Sequence, residues 1–331
     1  MAAGWNLKYG VITNENPSDD ELWAAFNYVF SPYSSTRSYS RIALIKAMLD
    51  SLLEFQKLSP SMYKVSYKQI FSKFAENYWN LVNKYHLKQM RPDGKSEVSK
   101  IEEILQETCA DNNIPNTIEY DSLSDKTKKS ITNSWKDICS RNVGGALYND
   151  TNGVLYAFDK ENQTITMSLT AYTFLLRHKM EIEKLNYYAW ARFLASINAD
   201  EALIRVIEKL ELATPRRNNL SVYSQILFEE FQQDTCFYCG KKLTDIHVDH
   251  FIPWSYVKTE KLWHLVLACP KCNTKKRDRL PNEDMLKKIT QRNENLESLD
   301  NKLAVEEFDD YSEDMINKIY YYAKICGLKQ M

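Results

Sequence analysis

The chain has 331 residues and a formal net charge of −1, with 44% hydrophobic and 26% charged residues. This balance excludes a disordered chain, and no apolar run approaches the roughly 18 residues of a membrane span. The N-terminus has no basic region followed by an apolar stretch, so we expect no signal peptide.

Apolar residues at helical spacing predict helices over most of the first 230 residues. The predicted helices are 40–57, 66–85 behind a Ser66 cap, 100–108, and 124–138 capped near Ser124. The segments 154–158 and 164–168 have the composition of short strands, and the polar sequence DKENQ separates them. This pattern predicts a β-hairpin. Helices are predicted again over 169–198 and 199–212, and from a Ser221 cap through Phe231.

These elements predict a mainly α (α+β) protein with two domains. The stretch ATPRRNN (213–219) is the candidate linker. We expect a helical domain over 1–215, with its hairpin near 154–168, and a second domain over 216–331. A resemblance of the helical region, given below, implies a partner-binding or regulatory role for the first domain.

Four of the seven cysteines form two CxxC pairs. Cys236 and Cys239 precede a 29-residue insert, and Cys269 and Cys272 follow it. Four thiolates at this spacing are typical of a structural Zn2+ site, whereas a redox CxxC would sit in a thioredoxin-like βαβ unit. Metal-bound thiolates favour a cytoplasmic location over a disulfide framework.

The insert contains HVDHFIPW, which predicts a short strand ended by Pro253. Asp249 and His250 lie at the end of this strand, and Asn273 starts a basic helix after the second CxxC. A neutral histidine suits a general base in phosphodiester hydrolysis, and a carboxylate with an amide oxygen suits Mg2+. The predicted phosphate contacts are Lys275, Lys276, Arg277 and Arg279.

The run CFYCG…VDHFIPW…LVLACPKCNTKKRDRLP resembles the HNH endonuclease family over about residues 232–285. The resemblance implies a zinc-clamped ββα-metal (treble-clef) domain and a metal-dependent DNA endonuclease. It assigns His250 as general base, and Asp249 and Asn273 as ligands of a catalytic Mg2+ or Mn2+.

Two histidines leave alternatives open. His264 stands where the family usually has asparagine, so its imidazole either braces the metal loop or marks weakened catalysis. His247, two residues before Asp249, shares its strand face and either supports the ligands or contacts metal or DNA.

Charge is unevenly distributed along the chain. Residues 236–281 carry nine Lys or Arg against four Asp or Glu, a local net charge of +5, so the remainder carries −6. A basic module in an otherwise acidic protein suits a polyanion such as DNA.

The helical region, with YSRIALIKAMLD and YAWARFLASIN, is similar to that of bacterial restriction or anti-phage defence proteins that end in an HNH segment. The similarity implies a protein partner, such as an ATPase or sensor subunit. The lack of a long apolar run leads us to expect no membrane association. The competing hypothesis is a zinc-ribbon nucleic-acid-binding or assembly subunit with a weak or inactive nuclease site.

Overall fold

The computed structural model describes residues 7–31, 40–91, 98–115, 118–139, 143–213, 220–309 and 311–331. The chain divides into two compact units: Met1–Leu175 with Met180–Arg216, and Leu176–Lys179 with Arg217–Met331. The predicted boundary after residue 215 and most of the predicted linker fall on 214–219, outside the described residues, so that boundary stays a prediction. None of the helices in the described ranges combines the length and apolar character that spanning a bilayer requires.

Unit 1 is mainly helical around one antiparallel sheet. Its elements are β1 (Tyr9–Gly10), α1 (Asp19–Phe30), α2 (Ser40–Asp50), β2 (Gln56–Ser59), β3 (Met62–Ser66), α3 (Tyr67–Trp79), α4 (Lys100–Asp111), α5 (Asp125–Cys139), α6 (Gly145–Asp150), β4 (Ala157–Asp159), β5 (Thr164–Ser168), α7 (Leu169–Arg177), α8 (Lys179–Ala195), α9 (Asp200–Leu203) and α10 (Val206–Ala213). Leu176–Lys179, where α7 meets α8, belongs to unit 2. The predicted fold class is confirmed.

Local sequence explains where several helices begin. Ser66 accepts a hydrogen bond from the Gln69 N–H, and the Gln69 side chain accepts one from the Ser66 N–H, which completes a capping box for α3. This confirms the predicted cap, and a π-helical turn over Asn80–Lys84 extends the helix nearly to its predicted end. Ser124 accepts from the Thr127 N–H at 3.2 Å at the start of α5, also as predicted.

The predicted helix 40–57 is wrong beyond Asp50. A 3-10 turn over Leu52–Glu54 ends the helical path, and β2 then turns back on β3. The sheet has the strand order β1-β4-β5-β3-β2, so the predicted hairpin of β4 and β5 is only its centre. Pairing with the neighbouring strand β3, rather than the helical spacing of its own residues, makes 56–59 a strand.

Helix α2 is buried along almost its whole length and contains a lysine. Lys46 Nζ lies 2.6 Å from both carboxylate oxygens of Asp50 and 3.2 Å from Glu183 Oε1. Asn77 donates a further hydrogen bond to Asp50 at 3.0 Å. The charge is therefore compensated inside the apolar core of unit 1, as a buried ion requires.

The long predicted helix 169–198 is two helices, α7 and α8, separated at His178. The predicted helix 199–212 is also divided, because Arg205 has a φ of +58° between α9 and α10. A non-glycine residue in the left-handed region interrupts the helical hydrogen-bond pattern.

Unit 2 is built around a two-stranded sheet and a short helix. Its further elements are α11 (Ser221–Gln225), β6 (His247–His250), α12 (Trp254–Val257), β7 (Leu265–Ala268), α13 (Pro270–Lys276), α14 (Asp284–Glu297), α15 (Lys302–Phe308) and α16 (Glu313–Ile325). The predicted helix from Ser221 is present, but Leu220 rather than Ser221 occupies its cap, and a π-helical turn carries it on to Glu230.

Candidate functional site

Four cysteine sulfur atoms meet at one point of unit 2. The sulfurs of Cys236, Cys239, Cys269 and Cys272 all lie within 4.8 Å of one another, and Cys239 Sγ is 4.0 Å from Cys269 Sγ. Ligands at about 2.3 Å around a tetrahedral zinc ion would be roughly 3.8 Å apart. The cluster therefore fits Zn2+ in both chemistry and spacing.

Two local turns present these sulfurs. In the first, the Cys236 N–H donates to the Lys241 carbonyl and the Gly240 N–H to the Cys236 carbonyl, both at 2.8 Å. Gly240 has a φ of +69°, a conformation that favours glycine. In the second, Cys269 is the N-cap of α13 and Pro270 its first residue, so the cysteine pair opens the helix.

The protein environment affects the ionisation of two of these cysteines in opposite directions. Although burial alone would raise it, hydrogen bonds from the backbone of Cys269, Cys239 and Tyr238 lower the pKa of Cys236 to about 7. Burial and the three neighbouring thiols instead raise the pKa of Cys272 above its usual value. Four thiolates can coexist here only when a bound cation neutralises them.

The strands and helix beside the cluster form a ββα unit. β6 and β7 are antiparallel, with Asp249 opposite Val266 and His250 opposite Leu265. Helix α13 follows β7 directly and carries Asn273 one residue after the last zinc-cluster cysteine. The second cysteine turn therefore opens the helix that bears the predicted ligand.

Asp249 has two firm partners. Tyr238, which lies between the first two cysteines, donates its hydroxyl hydrogen to Asp249 Oδ2 at 2.6 Å. Lys276 Nζ lies 3.1 Å from the same oxygen and 3.5 Å from Oδ1. The carboxylate is held between a phenol and an ammonium group.

Lys276 differs from its predicted role as a phosphate contact. Its side chain is 0% exposed, and Nζ also donates to the His250 carbonyl at 2.6 Å. The ammonium thus joins α13 to both residues at the end of β6. Its burial keeps it off the surface that DNA would meet, unlike Lys275, Arg277 and Arg279, which are exposed.

Asn273 contacts β6 at a second point. Its Nδ2 lies 2.9 Å from His247 Nδ1, and His247 Nε2 is 3.8 Å from Asp245 Oδ2. With its amide nitrogen directed to His247, Asn273 has its Oδ1 on the other side of the amide group. His247 therefore orients the amide.

His250 lies among aromatic rings. It is 2% exposed, with its ring centroid 5.3 Å from Trp254 and 5.4 Å from His264. The tilted rings limit the rotation of the imidazole. The Lys276 bond to its carbonyl fixes its backbone as well.

The comparisons with known proteins agree with this geometry. Residues 236–279 match the family model for HNH endonuclease. The chain contains an HNH segment. No curated protein and no solved structure matches the chain. A match to this family indicates a domain of the metal-dependent nuclease type, and such domains bind nucleic acid.

His264 lies at the departure from the HNH pattern, and its ring is fully buried. Burial lowers the pKa of His264 to about 3, opposed by the Thr259 backbone and reinforced by the charges of Lys261, Arg292 and Lys276. The imidazole is therefore neutral at physiological pH. The His264 carbonyl accepts a hydrogen bond from the Phe251 N–H at 2.8 Å, so its backbone ties the loop to the end of β6.

Helix α14 holds the loop of the HNH segment from outside. Arg292 donates to the Leu265 and Trp263 carbonyls at 2.8 and 3.1 Å, and Asn293 donates to the Trp263 carbonyl at 2.8 Å. Sequence reasoning missed both residues. The sequence did contain an indication of their role. Both residues lie between Ile289 and Leu296 at helical spacing on the apolar face of α14, and polar groups buried on such a face need hydrogen-bond partners.

Tyr238 was also missed. Its position inside the first CxxC gave no indication that its hydroxyl reaches Asp249. Its burial with this carboxylate raises the pKa of Tyr238 well above its ordinary value, so the phenol stays a donor.

Proposed function

We propose that unit 2 is a metal-dependent endonuclease that hydrolyses phosphodiester bonds in DNA. The observation that carries the proposal is the double attachment of α13 to β6. Asn273 bonds to His247, and Lys276 bonds to Asp249 and to the His250 carbonyl. A carboxylate, an imidazole and an amide thus stand on two elements fixed to each other beside a zinc-type cluster.

Asp249 and Asn273 would hold the catalytic cation. Carboxylate and amide oxygens are the donors that Mg2+ and Mn2+ prefer, so the donor set fits. When bound, the ion would stabilise negative charge on the scissile phosphate. Tyr238 and His247 orient these donors through their hydrogen bonds, which is the usual task of residues behind metal ligands.

His250 would take the proton from the attacking water. Imidazole is suited to this step near neutral pH. The neighbouring rings and the backbone bond from Lys276 hold its ring at the end of β6. The exposed cations Lys275, Arg277 and Arg279 would contact flanking phosphates.

A plasmid-nicking assay tests the proposal. Zinc-loaded protein should nick supercoiled plasmid with Mg2+ or Mn2+ and not with EDTA, and His250→Ala should lower the rate by roughly 100-fold to 10,000-fold. His86→Ala, which removes an exposed histidine of unit 1, is the matched control and should leave the rate unchanged. Wild-type rates in His250→Ala, or no nicking by wild type with either metal, would contradict the proposal.

A second candidate function is nucleic-acid binding or assembly with a weak or inactive nuclease site. The ion pair between Lys276 and Asp249 favours it, because an ammonium already neutralises the predicted ligand. This candidate predicts that plasmid is bound but stays intact at every metal concentration. Gel-shift and nicking measurements on the same protein preparation separate the two functions.

The cellular role follows from resemblance and remains a prediction. We propose that the chain acts in the bacterial cytoplasm in restriction or anti-phage defence, with unit 1 binding an ATPase or sensor partner. Cells expressing the chain should plate phage less efficiently than cells expressing His250→Ala. Equal plating over a broad phage panel would argue against a defence role.

A further inference from the structure

The buried ammonium of Lys276 has a consequence for metal binding at Asp249. Nζ lies 3.1 Å from Asp249 Oδ2, and the Tyr238 hydroxyl lies 2.6 Å from the same oxygen. Both carboxylate oxygens of Asp249 lie within 3.5 Å of Lys276 Nζ. A cation that binds Asp249 must therefore share this carboxylate with the ammonium or displace it.

The ammonium cannot simply move into solvent. Its side chain is fully buried, and its 2.6 Å bond to the His250 carbonyl provides a second anchor. Two positive charges a few ångströms apart repel each other strongly where water is excluded. Leaving Lys276 in place therefore costs a bound divalent ion part of its attraction to Asp249.

We propose that Lys276 is a resident counter-cation of Asp249 that weakens divalent-metal binding to this site. This inference rests on the proposed function in taking Asp249 as a metal ligand. Lys276 acts through Asp249 and is thus a positioning residue. It keeps the carboxylate in place and neutralised in the absence of metal, and it sets the concentration of metal that the site needs.

Manganese binding to the full-length, zinc-loaded protein without DNA tests this proposal. The electron paramagnetic resonance signal of free Mn2+ reports the bound fraction. Lys276→Met should bind Mn2+ at least about tenfold more tightly than wild type, because the repulsion is removed while Asp249 remains. Lys276→Arg keeps the charge and should stay near wild type.

Lys275→Met is the matched control, since it removes the same charge from the adjacent, exposed position of α13. It should change the affinity much less, because solvent screens an exposed charge. Asp249→Asn/Lys276→Met should lose the gain, because the shared carboxylate is gone. An affinity of Lys276→Met equal to or weaker than that of Lys275→Met would overturn the proposal.

A measurement on the unmutated side chains covers the case in which Lys276→Met does not fold. In protein labelled with 15N at lysine Nζ, the Lys276 ammonium resonance is identified by its absence from Lys276→Arg. Mg2+ should shift this resonance, and an unshifted resonance at saturating Mg2+ would overturn the proposal. Neither readout involves cleavage, so tighter Mn2+ binding by a protein that never nicks plasmid would support this inference and reject the proposed function.

Discussion

Lys46 in unit 1 and Lys276 in unit 2 are both fully buried lysines paired with an aspartate, but their surroundings differ. Lys46 shares a helix with Asp50 and also meets Glu183, so two carboxylates surround one ammonium. Although burial alone would lower it, Asp50, Tyr187 and Glu183 raise the pKa of Lys46 above its ordinary value. Lys276 contacts the Asp249 carboxylate and donates to the His250 backbone carbonyl, so it bridges two residues of β6.

The difference separates a structural ion pair from one that belongs to a site. In unit 1, two carboxylates face one ammonium, and the helix that carries it is buried along almost its whole length. In unit 2, the pair joins two elements next to half-exposed His247 and Asn273. Polar groups beside the buried pair would offer a second cation further ligands, so that it could compete with the ammonium for the Asp249 carboxylate.

The largest expected effect comes from removing a cysteine of the four-cysteine cluster, which should affect unit 2, the unit of Lys276, and not unit 1, the unit of Lys46. Cys269→Ser should unfold the HNH segment and release the zinc, because a structural zinc site contributes on the order of 10 kcal/mol. Zinc content and limited proteolysis measure this loss. Unit 1 should stay resistant to the protease, since its own apolar core stabilises it without the zinc.

Cys326→Ser is the control for this experiment. Cys326 is also in unit 2, and a serine hydroxyl can still donate to the Arg177 carbonyl that the thiol contacts. It should retain zinc and protease resistance. Equal damage from both variants would mean that the zinc cluster does not hold unit 2 together.

Lys46→Met tests the structural character of the pair in unit 1. Removing the ammonium leaves Asp50 and Glu183 buried and uncompensated, so the free energy of unfolding should fall by about 3–5 kcal/mol. Urea unfolding followed by tryptophan fluorescence measures the change. Lys100→Met, at an exposed pair, should have little effect, and an equally small effect of Lys46→Met would contradict the structural assignment.

A buried carboxylate of unit 1, Glu76, should make the stability of this unit depend on pH. Burial raises the pKa of Glu76 to about 7, opposed by Lys73 and reinforced by Asp121 and Asp50. The folded unit therefore retains a proton that the unfolded chain releases above its ordinary pKa of 4.5. This term makes the free energy of unfolding fall as pH rises from about 4.5 to 7, by at most about 3 kcal/mol.

Glu76→Gln should remove this pH dependence. The variant should be more stable than wild type above pH 7 and gain little near pH 4.5. Urea midpoints at the two pH values measure the difference. A gain of the same size at both values would show that Glu76 does not titrate in this window.

The smallest expected effect concerns the two adjacent lysines of α13. Lys275→Ala should weaken DNA binding several-fold and reduce the salt dependence by about one slope unit, since one phosphate contact is lost. Lys276→Ala should leave the slope unchanged because its ammonium is buried. Fluorescence anisotropy at several salt concentrations measures both, and equal slopes for the two variants would put Lys276 on the DNA surface.

Motifs with short-range geometry were predictable from the sequence. The Ser66 cap, the hairpin of β4 and β5 and the four-cysteine cluster each depend on residues a few positions apart, or on ligand chemistry that demands convergence. Strand β2 was missed because its sequence is compatible with a helix and only its pairing with β3 decides its structure.

The burial of Lys276 could have been found from helical spacing. Lys276 is three residues after Asn273, so both lie on the same face of α13, whereas Lys275 does not. The prediction placed the four cations between residues 275 and 279 on one surface. The positions of Tyr238 and Arg292 required the tertiary structure, because neither residue is close in sequence to the group that it contacts.

The order of strands in unit 1 also means that the central pairing of its sheet cannot form until late in synthesis. Val65 of β3 pairs with Ile165 of β5, and the intervening segment of about 100 residues takes roughly 5–20 s to translate. Until β5 emerges from the ribosome, β3 has β2 on one side and an unpaired edge on the other. Lys64 lies within β3 and Lys57 within β2, and charged side chains on open strands discourage pairing with other chains. We therefore expect the lysines of this hairpin to limit aggregation of the nascent chain during that interval.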